Sequence, residues 1–428
     1  MTTDWTADSN AALRLSLVRS QKDKESLAET ESYENFSPAF TYPIYGEDEK
    51  IYGYKNLTID LRFASGSLHQ YLNVRYTSKL ASSSTVDDVE ATLSEFIPPG
   101  YETDEKTFLD FVEREAIEFK PLGDKVYSYQ RVSPSSRGKG KGVASEGDLD
   151  PQSEDVIEYE VYHSTWDTPG FREYHQRMQT FILLYIEGGS YIVEDESAWE
   201  FVVLYEKRKR RGDPGVATYH FAGYSSLYPF YCFPERIRLR LSQFVILPPY
   251  QRHGHGSALY TAIYQRVLSQ DHISEITVED PAEAFEDLRD RNDLKMLLGL
   301  RLFMEEGFGI NGSSVGGGGV GPIRRTKSSS SAGKMGPPVN KAWAEKWRIQ
   351  LKIAGRQFNR LVEMLQLLRL DPLDARGFKA FRIQVKERLY RFNYEILVQL
   401  EKQERLDKLE ETFQNVVEDY RRILAMIH

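Results

Sequence analysis

Cysteine is nearly absent from this 428-residue sequence, in which Cys232 is the single representative. One thiol excludes a disulfide within the chain and any zinc site built on several cysteines. Long hydrophobic runs are also lacking: no stretch approaches the ~20 apolar residues of a membrane-spanning helix, and the beginning, MTTDWTADSN, has no apolar segment typical of a signal peptide. We therefore expect a soluble protein of the cytoplasm and nucleus with no membrane contact.

An excess of basic residues is lacking as well. The sequence has 55 Lys and Arg against 64 Asp and Glu, a formal net charge of −9. A negative field repels phosphate backbones and attracts cationic ligands, so we expect no direct DNA binding and a basic partner instead. Hydrophobic residues make up 40% of the chain and aromatic residues 12%, which is enough to bury the cores of folded domains.

Two low-complexity stretches divide the chain. SPSSRGKGKGVASEGDLDPQSED (133–155) has few apolar residues, and NGSSVGGGGVGPIRRTKSSSSAGKMGPP (311–338) is richer still in glycine and serine, a composition typical of mobile surface segments. The sequence therefore predicts five parts: an N-terminal α/β domain (1–132), a low-complexity loop (133–155), a second α/β domain (156–310), a Gly/Ser-rich linker (311–340) and a C-terminal helical segment (341–428).

Hydrophobic periodicity predicts the elements within these parts. AALRLSLV near the N-terminus predicts a short helix, and TPGFREYHQRMQTFILLYIEGGSYI predicts a helix that leads into a strand. Beyond the linker, apolar residues spaced three and four apart from Trp343 to Leu368 form one continuous helical stripe, and a second stripe begins at Phe378. We interpret these stripes as a helical hairpin that packs on itself or on the main body, or else docks a partner.

The segment PPYQRHGHGSALY (248–260) follows the apolar strand LRLSQFVIL and forms a glycine-rich turn that opens a helix. Unpaired backbone N–H groups and the helix dipole at such a turn favour a bound phosphate. No GxxxxGK[ST] occurs, and the turn lacks the third small residue of the dinucleotide fingerprint. His253 and His255 are two apart and point to opposite sides of an extended segment, which argues against a metal. A purely structural turn remains the alternative.

A family resemblance adds to this interpretation. Gln251 to Gly256 match the Q/R-x-x-G-x-G/A signature of the GNAT acetyltransferases. The segments TPGFREYHQRMQTF, LSQFVILPPYQRHGHGSALY and ITVEDPAEAFEDLRDRND resemble the family of type B histone acetyltransferase catalytic subunits, and FTYPIYGEDEKIYGYKNLTIDL (40–61) resembles its N-terminal domain. The resemblance covers most of 5–310 and continues more weakly beyond. It implies an α/β fold with a GNAT mixed β-sheet flanked by helices, an N-terminal α/β domain and a C-terminal helical segment.

The resemblance also implies acetyl-CoA as cosubstrate, without a metal. The strand Phe244–Ile246 would pair its backbone with the pantetheine arm, and the turn would wrap the pyrophosphate, with charge added by Arg252. Of the two arginines Arg289 and Arg291 on the following helix, we expect at least one to be an ion-paired or solvated surface group. The residues assigned to acetyl-CoA are Phe244, Val245, Ile246, Gln251, Arg252, His253, Gly254, His255, Gly256, Ser257, Phe285 and Arg291.

For catalysis, the resemblance places the general base on Glu279, with Asp280 and Glu187 as nearby acids. A carboxylate at the end of the strand ITVED can be partly desolvated, which raises its pKa toward the working pH. For Asp280 and Glu283 an acidic cap on the following helix is the alternative. We expect Cys232 to lie in the core, and therefore expect direct transfer in a ternary complex.

On the acceptor side, acidic and aromatic residues predict a groove for a basic peptide, which the resemblance identifies as the N-terminal tail of histone H4. The family resemblance assigns four residues to this groove: Glu49, Glu187, Trp199 and Tyr228. The substrate residues assigned are Glu47, Asp48, Glu49, Trp199, Tyr228, Pro229 and Phe230. The alternatives are a GNAT enzyme that acetylates another protein or a polyamine, and a non-catalytic acetyl-CoA-binding histone adaptor.

Two further expectations concern partners and modification. The resemblance implies a WD40 histone-binding subunit, for which AALRLSLV is a docking helix or, equally, a core helix. The loop sequence SRGKGKG (136–142) is similar to the start of the H4 tail. Lys139 or Lys141 could therefore enter the acceptor groove as an autoacetylation site, although a flexible basic linker is the simpler interpretation.

Overall fold

The structure is a computed structural model that describes residues 5–81, 86–134, 156–210, 213–309 and 333–427. Lys139, Lys141 and most of both low-complexity stretches lie outside the described residues. The chain divides into two compact units, residues 1–229 with 240–266 and residues 230–239 with 267–428. The five-part division of the chain stays a prediction.

The first unit begins with a three-stranded sheet and short elements around it. Its elements up to residue 118 are β1 (Thr6–Asp8), α1 (Ser9–Ala12), β2 (Leu13–Val18), α2 (Gln21–Lys24), α3 (Tyr42–Tyr45), β3 (Lys50–Tyr52), β4 (Tyr54–Lys55), β5 (Thr58–Ala64), β6 (Gln70–Arg75), β7 (Ser78–Lys79), α4 (Val89–Ser94) and α5 (Glu105–Glu118). β2 is parallel to β5, and β5 is antiparallel to β6. The side chains Phe108 and Val112 of α5 pack against Val18, Ala64 and Tyr71 and so cover this sheet.

A larger sheet completes the first unit. Its elements are β8 (Asp124–Val132), β9 (Val156–Thr165), α6 (Phe171–Met178), α7 (Thr180–Tyr185), β10 (Glu200–Arg210), β11 (Asp213–Cys232), β12 (Arg236–Ile246) and α8 (His255–Ser269). The strands β8 to β12 follow one another as neighbours in chain order, and the pairs β8–β9, β9–β10 and β10–β11 are antiparallel. A 3-10 turn, Pro248–Tyr250, joins β12 to α8. β11 from Phe230, β12 up to Leu239 and α8 from Val267 belong to the second unit.

The helix predicted for AALRLSLV is wrong. α1 ends at Ala12, and LRLSLV forms β2, whose residues are almost all buried. A strand covered on both faces is apolar without alternation, so a short run of this kind cannot be distinguished from a buried helix by its pattern. The strand predicted after α7 is also wrong, because the segment 186–193 consists of turns and irregular backbone.

One histidine is buried in the aromatic core of the first unit. His175 of α6 has 0% exposed surface, and its ring centroid lies 4.9 Å from that of Trp166 and 4.5 Å from that of Phe201. Neither of its ring nitrogens has a hydrogen-bond partner among the described residues. Burial therefore lowers the pKa of His175 to about 3.

We expect His175→Phe to make the fold less sensitive to acid. Because the folded-state pKa is depressed, only the unfolded chain takes up a proton below pH 6.5, and stability falls as the pH falls from 6.5 toward 3. His175 costs about 2 kcal/mol at pH 5 on this account. Urea unfolding at pH 7 and pH 5 should show a loss of stability that is about 2 kcal/mol smaller in the variant. His272→Phe, at an exposed position, is the control, and an unchanged pH dependence in His175→Phe would contradict the prediction.

The second unit is mainly helical. Its elements are β13 (Ile273–Val278), α9 (Glu283–Gly299), α10 (Arg301–Phe308), α11 (Lys341–Gln350), α12 (Gly355–Arg369), α13 (Ala375–Phe392), α14 (Tyr394–Leu397) and α15 (Lys402–Ala425). Ile237 in the first part of β12 donates its N–H to the carbonyl of His272, the residue before β13, at 3.0 Å. The helices α13 and α15 share a core of Phe381, Val385, Leu389, Phe413 and Val417. The C-terminal helices therefore pack on one another, as one of the two interpretations predicted.

Two details of the second unit differ from prediction. The stripe from Trp343 to Leu368 is not one helix: α11 ends at Gln350 and α12 begins at Gly355, because Ile353 between them pairs with Ile276 as an isolated bridge. Cys232 is half-buried at the end of β11 rather than in the core. The expected class, a mixed α/β fold with a C-terminal helical segment, is confirmed. In the part of the chain that the structure describes, no helix is long and apolar enough to cross a membrane.

Candidate functional site

The glycine turn lies directly between β12 and α8, as the sequence predicted. In the first unit's part of β12, Leu241, Gln243 and Val245 are buried while the alternate residues Ser242 and Phe244 are half-buried, which is the alternation of a strand with two different faces. After the 3-10 turn, the Gln251 side chain donates through Nε2 to the Ile246 carbonyl at 2.8 Å. This hydrogen bond ties the start of the turn back to the end of the strand.

The backbone of the turn is left-handed at two positions. Arg252 has φ +65° and Gly254 has φ +83°, a left-handed conformation that favours glycine at the second position. The N–H of Ala258 donates to the Gly254 carbonyl at 3.1 Å, so the helical bonding of α8 begins here. The N–H groups in the first turn of any helix have no acceptor within the helix, and the residues Gln251 to Gly254 before α8 are exposed. This geometry suits a phosphate.

His255, the first residue of α8, anchors the helix start. Its Nδ1 lies 2.7 Å from the Tyr129 hydroxyl and its ring centroid lies 4.3 Å from that of Tyr159. Burial lowers the pKa of His255 to about 4, so the imidazole is neutral near pH 7. His253 is exposed. Over the described ranges, no group of three or more His, Cys, Asp or Glu could hold a metal ion.

Arg131 is a basic residue beside the turn that no sequence motif indicated. Its Nη2 lies 3.5 Å from the position that a Cβ on Gly254 would occupy. The guanidinium also lies over the Tyr129 ring, 4.8 Å from its centroid. Arg131 belongs to β8, far from the motif in sequence, so only the folded sheet shows that it adds positive charge beside the turn.

A bulge in β11 lies beside the end of β12. Leu204 pairs with Gly223 and Tyr205 with Phe221, which leaves Ala222 as the extra residue. The Ala222 carbonyl accepts the N–H of Leu247 at 3.0 Å. A Cβ on Gly223 would lie 2.3 Å from the Val245 carbonyl oxygen, so the close approach of the two strands requires glycine there.

Among the predicted acidic residues, Glu49 forms hydrogen bonds that stabilise the local fold. Its Oε1 accepts the N–H of Thr41 at 2.7 Å and of Tyr42 at 3.2 Å, and its Oε2 accepts Asn10 Nδ2 at 2.6 Å. The carboxylate therefore satisfies N–H groups at the start of α3. Its neighbours in the same turn, Glu47 and Asp48, are exposed.

The structure brings the Glu187 loop to the same helix. Glu187 is exposed, and the N–H of the following Gly188 donates to the Tyr42 hydroxyl at 2.7 Å. Since Tyr42 begins α3 and also donates its N–H to Glu49, the two predicted acidic segments share this one helix.

The rings of Trp199 and Tyr228, both assigned to the predicted groove, contact each other. Their ring centroids are 4.8 Å apart in an edge-to-face arrangement. Both rings are half-buried, and the indole Nε1 donates to Glu196 Oε2 at 3.1 Å. Pro229 follows in β11 and is half-buried, so this pair combines apolar surface with an adjacent carboxylate.

The remaining predicted residues belong to the second unit. Phe230 is 36% exposed. Glu279 and Asp280 follow β13 and are exposed, so the partial desolvation expected for Glu279 is not observed. The N-cap of α9 is Ala282, without a side-chain cap, so the capping alternative for Asp280 is wrong.

The predicted residues of α9 differ in burial. Phe285 and Arg291 are half-buried, and Arg291 donates through Nε to the Asp287 carbonyl at 3.1 Å. Arg289 is buried, and its Nε lies 3.8 Å from Asp293 Oδ2. At least one of Arg289 and Arg291 was expected to be an ion-paired or solvated surface group. Arg289 is ion-paired, but it is buried rather than at the surface.

Comparison with known proteins gives the family. Residues 5–187 match the model described as histone acetyl transferase HAT1 N-terminus, and residues 325–371 match the one described as fungal HAT1, C-terminal. The histone acetyltransferase type B catalytic subunit of Cryptococcus neoformans var. neoformans serotype D (strain JEC21) is 51% identical over 99% of this chain and 98% of its own length. That of Mycosarcoma maydis is 44% identical over 98% and 88%.

Among solved structures, an aminoglycoside acetyltransferase, meta-AAC0020 from a soil metagenomic sample in complex with sisomicin, is 13% identical with a TM-score of 0.23, over 31% of this chain and 86% of that chain. The sequence matches over nearly the full length make the chain an acetyltransferase. More narrowly, it belongs to the family of histone acetyltransferase type B catalytic subunits, as the resemblance implied.

Proposed function

We propose that the chain transfers the acetyl group of acetyl-CoA to a lysine on the N-terminal tail of newly made histone H4. The observation that supports the proposal is the turn from Gln251 to Ser257, which combines left-handed backbone at Arg252 and Gly254 with the start of α8, in a chain of an acetyltransferase family. The chain acts in cytoplasm and nucleus with a WD40 histone-binding subunit, contacts neither DNA nor membrane, and needs no metal.

In this proposal the turn holds the pyrophosphate of acetyl-CoA. The backbone N–H groups at the start of α8 donate to its oxygens, while Arg252 and Arg131 add positive charge. The backbone of Phe244–Ile246 pairs with the pantetheine arm. The family resemblance assigns Phe285 and Arg291 of the second unit to the same ligand. The residues present fit the ligand, because a helix N-terminus, two guanidinium groups and a glycine at φ +83° suit a bound diphosphate.

The acceptor lysine must lose a proton before it reacts, because its pKa is about 10.4 and only the neutral amine attacks. Glu279 takes that proton as general base, supported by Asp280 and Glu187. The amine nitrogen then bonds to the thioester carbonyl carbon and the carbon–sulfur bond breaks. The remaining excess proton of the amine passes to the sulfur, so coenzyme A leaves as its thiol and the product is a neutral amide. The reaction is a direct attack in a ternary complex without an acetyl group on Cys232.

The acceptor surface suits a basic peptide. The exposed carboxylates of Glu47, Asp48 and Glu187 attract lysine-rich segments, and the half-buried rings of Trp199 and Tyr228 offer apolar surface to an aliphatic side chain. Pro229 and Phe230 extend this surface along β11, and Glu49 holds the acidic turn in place. A polyamine is the second candidate, because it carries the same charge.

Mass spectrometry of wild-type protein incubated with acetyl-CoA tests the proposal against three acceptors. An H4 tail peptide should gain acetyl groups on lysine, while the same peptide with every lysine replaced by arginine should gain none. Spermidine tests the polyamine alternative. If the protein binds acetyl-CoA and modifies none of the three, it is a binding adaptor and the proposal is wrong.

A further inference from the structure

The first unit contains an ion pair that is almost completely buried. Glu206 of β10 has 0% exposed surface, and Arg19, which follows β2, has 3%. Arg19 donates through Nη2 to Glu206 Oε2 at 2.8 Å and through Nη1 to Oε1 at 3.3 Å. Arg208 also donates to Oε1, through Nε. Burial opposes ionisation, but the charges of Arg19 and Arg208 hold the pKa of Glu206 well below its ordinary value. A fixed charge pair therefore lies inside this unit.

This pair holds the residue that precedes the glycine turn. Tyr250, the last residue of the 3-10 turn, is 2% exposed. Its hydroxyl donates to Glu206 Oε2 at 2.8 Å and accepts from Arg19 Nη2 at 3.0 Å. Its ring lies 5.2 Å from that of Tyr33, over which the Arg19 guanidinium stacks at 3.8 Å. Both the hydroxyl and the ring of Tyr250 are therefore held in one position.

The turn is anchored in the interior at both of its ends. Gln251 to Gly254 are exposed, while the residues on either side, Tyr250 and His255, are buried. His255 bonds Tyr129 at one end, and Tyr250 bonds the Arg19–Glu206 pair at the other. A short loop between two fixed residues loses little conformational entropy when a ligand binds, and this raises affinity without a new contact.

We propose that Tyr250 is a positioning residue for acetyl-CoA, acting through its hydrogen bonds to the buried Arg19–Glu206 pair. The inference deepens the proposed function, since it takes acetyl-CoA as the ligand of the turn. Tyr250 does not touch the ligand in this account. It fixes the backbone of Gln251 to Gly254 before the ligand arrives, and so links residues of the N-terminal part of the chain to cofactor affinity.

The test is Tyr250→Phe, which keeps the ring and removes only the hydroxyl. The substitution removes both hydrogen bonds of the hydroxyl to charged groups. We therefore expect the dissociation constant of coenzyme A, measured by calorimetry, and the KM for acetyl-CoA to rise about tenfold, the equivalent of about 1.4 kcal/mol. The KM for the H4 peptide should stay within about twofold. In the protein without ligand, hydrogen exchange of the amides of 251–257 should become about tenfold faster.

Tyr224→Phe is the matched control. Tyr224 is also fully buried, and its hydroxyl has no hydrogen-bond partner among the described residues, so neither exchange at 251–257 nor the affinity for coenzyme A should change. If Tyr250→Phe behaves like this control, Tyr250 is a core residue only and the inference is wrong. Faster exchange with unchanged affinity also overturns it. If the wild type does not bind coenzyme A, the proposed function fails, whereas the exchange measurement still shows whether Tyr250 orders the turn.

Discussion

Glu279→Gln is expected to slow acetyl transfer to an H4 tail peptide about 100-fold or more, because a positioned general base contributes about 10²–10⁴-fold to the rate. Glutamine has the same shape but cannot accept the proton of the lysine ammonium group. The dissociation constant of acetyl-CoA should stay within about twofold, since Glu279 is assigned to the proton and not to the phosphates. Single-turnover transfer measured at saturating acetyl-CoA, with calorimetry on the same samples, separates the two quantities.

Two further observations sharpen this prediction. Without the base, the reaction depends on lysine that is already neutral, so the rate of the variant should rise about tenfold per pH unit below the lysine pKa of about 10.4. Glu283→Gln is the matched control, because Glu283 is another exposed carboxylate of the same unit, in the first turn of α9, and should transfer at nearly the wild-type rate. If the rate of acetyl transfer fell equally in both variants, the assignment of Glu279 as general base would be wrong.

The turn could be predicted from the sequence because its determinants are local. An apolar strand, two prolines and a Gly-x-Gly segment stand next to one another in the chain, and the structure has β12, a 3-10 turn and α8 in that order. The left-handed conformation at Gly254 favours that residue type. Neighbouring residues therefore determine this part of the site without help from distant ones.

The parts that could not be predicted depend on contacts between distant residues. Arg131 reaches the turn from β8, and Glu49 caps α3 from a position after that helix rather than before it. The sequence of β2 is as apolar as that of a buried helix, and only its pairing with β5 identifies it as a strand. Arg19 and Glu206 are 187 residues apart, and both are types that are usually exposed. No local pattern marks such residues as a pair.

Glu206→Ala is expected to destabilise the first unit by about 3–5 kcal/mol, because removal of one partner of a buried ion pair leaves the other charge uncompensated. Arg19 would lose its carboxylate at a site with 3% exposure, and Tyr250 would lose its acceptor. Since the folded pKa of Glu206 is depressed, its contribution is present above about pH 4.5 and is lost as the pH falls further. Urea unfolding at pH 7 followed by tryptophan fluorescence measures the effect.

Glu158→Ala is the control for burial. Glu158 of β9 also pairs with a cation of β10, Lys207, at 2.9 Å, but its side chain is 32% exposed. Because water can solvate Lys207 after the substitution, the free energy of unfolding should fall by less than about 1 kcal/mol. A similar small loss in both variants would show that the buried pair does not stabilise the unit. Tyr250 donates its hydroxyl hydrogen bond to Glu206. We therefore also expect Glu206→Ala to weaken coenzyme A binding under conditions in which the variant is folded, and Glu158→Ala to leave this binding unchanged.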